Sequence, residues 1–111
     1  LADYAHSKGL KLGLHTVPGH RDCGGDRVGA FGHEEVHVQQ FIDWGIDYVK
    51  VDKCLFDGGW DEVVLKETYF KWHRLLRESK HEILFSICAF SQQSQSFAQS
   101  ECGKARFERL R

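Results

Sequence analysis

Methionine is absent from the 111 residues, so even a start residue is missing, and the chain opens directly in LADYAHSKG. These opening residues show no signal-peptide pattern. Both features suggest a fragment or processed segment of a longer polypeptide. No apolar run approaches the roughly 20 residues needed to cross a bilayer, and no membrane span is expected. An excess of charge is missing too. Fifteen Lys and Arg stand against 16 Asp and Glu, for a net charge of -1. That balance gives no reason to expect nucleic acid or an anionic membrane as partner. The one dense basic stretch, KARFERLR, carries its own acid. None of the four cysteines, Cys23, Cys54, Cys88 and Cys102, forms a C-x-x-C pair, so redox-motif and zinc-ribbon spacings are excluded. An even count fits disulfides in an oxidising compartment. What remains is 41% hydrophobic and 28% charged residues, a globular composition with enough chain for one modest core.

The elements alternate. LADYAHSKG reads as a helix end, with Leu1, Tyr4 and Ala5 on one face and Gly9 as its cap. LKLGLH, Leu10 to His15, is a short strand in which Gly13 marks a place where a side chain would crowd a neighbour. The stretch TVPGHRDCGGDRVGAFG, Thr16 to Gly32, is too long for a simple connection and has the composition of a structured functional loop. Glu34 to Asp43 is helical, with Val38, Phe41 and Ile42 as its stripe and Gly45 ending it. IDYVKVD, Ile46 to Asp52, is the next strand. Asp61 to Ser79 is a long amphipathic helix carrying Val64, Leu65, Tyr69, Trp72, Leu75 and Leu76. EILFSIC, Glu82 to Cys88, is a third strand. From Ser91 the polar SQQSQSFAQS shows no period and reads as a loop. Strands separated by helices must run parallel, with right-handed crossovers. The fold class is therefore α/β, and both a doubly wound sheet and a slice of a (β/α)8 barrel fit. A three-stranded slice leaves two open edges, so the segment alone is expected to be poorly stable.

Polar residues gather at the C-terminal ends of these strands: His15, then Lys50 and Asp52, then Cys88. In YVKVD the period of two puts Tyr48, Lys50 and Asp52 on one side and Val49 and Val51 on the other. In a barrel that end holds the active site. An ordinary strand-end ion pair explains Lys50 and Asp52 equally well. Residues 33 to 37, HEEVH, match H-E-x-x-H, the zinc-protease pattern. His33 and His37, with His15 or His20 as a third ligand, would hold the metal, and Glu34 would be the base. The match sits at a helix start after Gly32, however, where Glu34 and Glu35 simply favour the positive end of the dipole as a solvated or capping surface. GDRVGAFG fits neither glycine-rich nucleotide motif. Cys88 ends a strand and has no assignable base for a cysteine nucleophile. Arg21 and Asp22 read as structure within the glycine-rich loop.

Together LADYAHSKGLKLGLH, Cys23-Gly24-Gly25, GAFGHEE, WGIDYVKVDKC and ILFSIC resemble successive signatures of glycoside hydrolase family 27, the α-galactosidases (melibiases) and α-N-acetylgalactosaminidases. The resemblance covers residues 1–90, and its motifs occur in the family's order. It implies a fragment of a (β/α)8 catalytic barrel, about its third to fifth parallel strands. Residues 91–111 remain as a divergent loop or tail. By the same resemblance Asp52 is the catalytic nucleophile, and Lys50 binds a sugar hydroxyl. Cys23 pairs with Cys54. Cys88 matches a cysteine that pairs in a later loop.

The implied chemistry uses two carboxylates about 5 to 5.5 Å apart, one attacking and one serving as acid then base, with retention of configuration. The family's acid/base is an Asp after a later strand, and Asp57, Asp61 and Glu101 do not match it. The resemblance implies a carbohydrate substrate, no organic cofactor and no catalytic metal. It also implies an extracellular, lysosomal or vacuolar location. Two departures stand out. His15 occupies the usual place of a tyrosine and can still donate to a sugar hydroxyl. Ala89-Phe90 replaces the Glu-Trp of the α-galactosidases. The small Ala89 removes an acceptor for the 2-hydroxyl and opens space, as in the α-N-acetylgalactosaminidases. The resulting expectation is α-galactosidase activity of the full-length protein, with α-N-acetylgalactosaminidase or another α-glycosidase as alternative. A truncated, non-catalytic barrel is the remaining possibility.

Overall fold

The computed structural model describes residues 1–54, 61–88 and 106–110. Helix α1 spans Ala2–Ser7 and leads through Gly9, at φ 73°, toward strand β1, Gly13–Thr16. Only glycine takes that left-handed conformation without strain, so the helix ends there. Helix α2, Glu34–Asp43, ends the same way at Gly45, φ 72°, before strand β2, Tyr48–Asp52. Helix α3, Glu62–Glu78, is capped by Asp61, whose side chain accepts the N–H groups of Val63 and Val64 at 2.7 and 3.3 Å. It precedes strand β3, Ile83–Cys88.

The sheet order is β1-β2-β3-β4. The first three strands are parallel, with His15 opposite Lys50 and Asp52 opposite Cys88. Consecutive strands thus neighbour one another with a helix between them, the arrangement of a barrel slice. One half of a doubly wound sheet has the same local order, since its reversal lies at a switch point beyond three strands. The fourth strand, Arg106–Leu110, was not expected from a stretch read as loop or tail. It pairs antiparallel with β3, satisfying backbone groups on an edge otherwise left open. Its residues were read for their charge, which hid a short extended segment.

Alternation along β2 sorts the two faces. Val49 and Val51 are fully buried, while Tyr48, Lys50 and Asp52 are half-buried on the other side. The buried valines join Phe41 of α2, Leu65, Trp72 and Leu76 of α3, and Ile83 and Phe85 of β3 in one core. Phe41 and Trp72 stack with ring centroids 6.4 Å apart and 20° between planes. In α1, Ala2 is the buried residue, whereas Leu1 and Tyr4, read as sharing one face with Ala5, are exposed. A six-residue helix makes fewer than two turns, and such a stripe is too short for sequence periodicity to orient it.

Two polar clusters tie the layers together. Asp47, just before β2, accepts the Leu12 N–H at 2.8 Å and His6 Nε2 at 2.7 Å. Burial works against its charge, but the Leu12 hydrogen bond and the His6 and Lys11 contacts outweigh it, and the carboxyl lies below the usual range. At the start of α2, Glu34 is buried rather than solvated. Its oxygens accept the Gly32 N–H at 3.2 Å and Lys71 Nζ of α3 at 3.0 Å. Lys71 also meets Glu35 at 3.0 Å, and these two carboxylates hold its ammonium above its ordinary pKa. Lys71→Met would leave the Glu34 carboxylate buried beside a single N–H. The ammonium is partly exposed, so the loss falls below that of a fully buried pair, at about 2 kcal/mol by denaturant unfolding. Lys71→Arg should recover most of it.

Candidate active site at the strand ends

Parallel strands in register carry their C-terminal side chains to one rim. His15, one residue before the end of β1, lies on the same side of the sheet as Lys50 and Asp52 at the end of β2. His15 Nε2 lies 3.4 Å and Lys50 Nζ 3.3 Å from the same oxygen, Asp52 Oδ2. The carboxylate is the least exposed of the three, at 25%, against 42% for Lys50 and 50% for His15. Among the described residues Asp52 Oδ1 takes no ion pair or hydrogen bond. Lys50 and His15 therefore both bear on one oxygen of the carboxylate.

The strand below is packed to support this. Gly13 stands opposite Tyr48, and a Cβ on Gly13 would lie 2.5 Å from Tyr48 Cδ1. This is the crowding that the glycine was expected to relieve, and the crowding neighbour is the tyrosine under Lys50. Behind the strand, the Tyr69 hydroxyl reaches the Val51 carbonyl at 3.5 Å. Burial, and then the charge of Asp52, push the Tyr69 phenol far above its ordinary pKa, so it remains a neutral donor.

The glycine-rich loop forms one wall. Cys23 is joined to Cys54 by a disulfide with Cα atoms 4.8 Å apart, which fastens the loop to the chain two residues beyond Asp52. Asp22 Oδ1 accepts the N–H groups of Asp26 and Arg27 at 3.0 and 3.3 Å, and Arg21 Nη1 donates to the Gly25 carbonyl. Arg21 and Asp22 thus organise the loop backbone. The Arg27 N–H leads the contacts that hold the Asp22 carboxyl below its usual range. A Cβ on Gly29 would strike the Gly19 carbonyl oxygen, so this loop closes only around a glycine. A hollow of about 310 Å³ lies between the loop and β1, lined by His15, Thr16, Asp22, Arg27 and His37. A larger hollow of about 540 Å³, along Glu67, Phe70 and Arg74 of α3, contains none of the strand-end groups.

The H-E-x-x-H match does not assemble. His33 precedes the first turn of α2, and Glu34 is engaged by Lys71 and Gly32. His37 sits edge-on to Phe41 with ring centroids 6.2 Å apart, and burial, then the charge of His33, favours its neutral form. His20 stacks near Phe31. Among the described residues no three His, Cys, Asp or Glu side chains converge as a metal site requires. Ala89, Asp57 and Glu101 lie outside the described residues. The role of Glu34 in joining α2 to α3 was missed from sequence, because its partner is 37 residues away.

A run of β-α units with His15, Lys50 and Asp52 gathered at the strand C-termini has the architecture of a piece of a (β/α)8 barrel. The family profile described as Alpha galactosidase A (Melibiase_2) matches residues 1–107, and the chain belongs to this α-galactosidase family. The chain is 41% identical over 93 residues to alpha-galactosidase 2 of Arabidopsis thaliana, covering 84% of this chain and 22% of that protein. It is 36% identical over 105 residues to the alpha-galactosidase of Coffea arabica, covering 95% of this chain and 27% of that protein. Among solved structures, alpha-galactosidase I of Mortierella vinacea superposes with a TM-score of 0.70 at 30% identity, over 78% of this chain and 22% of that one. The chain therefore spans about a quarter of the length of these relatives.

Proposed function

We propose that the full-length polypeptide carrying this chain is a retaining glycosidase that releases terminal α-linked galactosyl residues, with Asp52 as its nucleophile. The observation that carries this reading is the convergence of Lys50 and His15 on Asp52 Oδ2, at the strand ends where such barrels do their chemistry. In the first step an Asp52 oxygen bonds to the anomeric carbon while the bond to the leaving oxygen breaks. A second carboxylic acid, contributed from outside this chain, protonates that leaving oxygen. Water assisted by the same group then releases the sugar. Lys50 and His15 hold Asp52 in its orientation and can donate to sugar hydroxyls. The two carboxylates suffice, without an organic cofactor or metal. The disulfide supports a place in the secretory pathway, an extracellular, lysosomal or vacuolar setting.

One sequence feature favours a second reading. In the sequence Ala89 stands where the α-galactosidases carry a glutamate, and a small residue at that position, as in the α-N-acetylgalactosaminidases, would suit an N-acetylated galactosamine. The test is to give the folded full-length protein nitrophenyl α-galactoside and its 2-acetamido analogue and to follow the first-formed sugar by proton NMR. Release of α-galactose before mutarotation is expected. First release of the β anomer would mean direct inversion by water and would remove the nucleophile role from Asp52. Preference for the acetamido sugar would select the second reading. Turnover of neither would leave a non-catalytic barrel.

A further inference from the structure

We propose that His15 is a pH-dependent positioning residue for Asp52, its charge setting how readily the carboxylate attacks. This rests on the reading of Asp52 as nucleophile. Lys50 and His15 meet the same oxygen at nearly equal distances, 3.3 and 3.4 Å, from neighbouring strands in direct register. They differ in one respect that matters. Lysine keeps its charge across the physiological range, whereas histidine is the side chain that gains or loses charge between about pH 5 and 8.

The groups facing His15 from every packed element leave this role to it. From β2 come Tyr48, Lys50 and Asp52. From the loop come Asp22, held ionised by the Arg27 N–H and its neighbours, and Arg27. From α2 comes His37, which burial and His33 hold toward the neutral form. Among the described residues at this rim, His15 is the imidazole whose ring nitrogen meets the Asp52 carboxylate.

The direction follows from charge. During attack Asp52 loses its negative charge and the sugar ring becomes cationic. A cation on Oδ2 stabilises the starting carboxylate and opposes the incoming positive charge, so it slows this step. When the covalent intermediate breaks down, the same cation favours the departing carboxylate. Protonated His15 therefore retards attack and assists release, and neutral His15 does the reverse.

The test compares His15→Gln with the parent sequence in the full-length protein. The glutamine keeps a polar group in place but cannot become charged. The ratio of kcat/KM, variant over parent, cancels the titration of the second carboxylic acid. It should be about three to five times larger at pH 5 than at pH 8, the range of a partly exposed charge pair. A ratio that does not change with pH is what a merely structural role gives, and it overturns the proposal. So does a ratio that rises with pH. A second readout needs no substrate. With selectively labelled aspartate, the Asp52 Cγ resonance, assigned by its loss in Asp52→Asn, should move between pH 5 and 8 in the parent and stay still in His15→Gln. An unmoving resonance in the parent refutes the coupling. A moving resonance in a protein that hydrolyses sugars equally well as Asp52→Asn would keep the coupling and discard the nucleophile.

Discussion

Asp52→Asn in the full-length protein should lower kcat on an aryl α-galactoside by about 10⁴-fold or more, with the fold intact. The amide is nearly the same size as the carboxylate and leaves Val49 and Val51 in their places in the core. Its two atoms differ in kind, however. One is a nitrogen without an available lone pair, and the other is a neutral oxygen that cannot form an ester to the anomeric carbon. Lys50 and His15 would then face each other without the anion between them, so some loss of local order is expected at this rim. The decisive comparison is kinetic. Added azide or formate should restore turnover to an Asp52→Ala variant by replacing the missing nucleophile, with inverted product. Near-parental activity in Asp52→Asn would reduce the strand-end contacts to an ordinary ion pair.

Trp72→Ala should cost about 3 to 5 kcal/mol of stability, read as a lowered denaturation midpoint. Trp72 is fully buried, stacks on Phe41, and sits at the meeting of α2, α3 and the sheet. Removing the indole leaves a cavity that the surrounding leucines and valines can fill only in part. The indole N–H has no hydrogen-bond partner among the described residues. That makes a second expectation specific: Trp72→Phe should cost much less than Trp72→Ala. The phenyl ring keeps the stacking while removing a buried donor that is not satisfied. Equal losses for the two variants would mean that the indole N–H is bonded after all.

Much of the strand-end site was legible in the sequence because it depends on short-range periodicity. Tyr48, Lys50 and Asp52 alternate with Val49 and Val51, and two-residue repetition fixes which of them share a face. Gly13, Gly9 and Gly45 announced a close approach and two helix ends for equally local reasons. The buried stripe of α3, with Leu65, Tyr69, Trp72 and Leu76, followed from its length and period. The H-E-x-x-H match shows the opposite case. Its spacing was correct, but the carboxylate between the histidines is engaged by Lys71, which lies outside any local window. The exposure of Leu1 and Tyr4, and the pairing of Arg106–Leu110 with β3, were likewise hidden. Each depends on what covers an element rather than on the element's own pattern.

By itself the sequence determined the α/β order, the parallel strands, the resemblance to a melibiase barrel and the residues that crowd the strand ends. These follow from hydrophobic period, turn chemistry and motif order, all of which are properties of neighbours in the chain. Only the tertiary structure decided that His15 and Lys50 bear on one oxygen of Asp52, that Glu34 serves Lys71, and that Arg106–Leu110 extends the sheet. Those contacts join residues far apart in the chain, and their distances are set by strand register and helix packing, which composition and spacing do not encode.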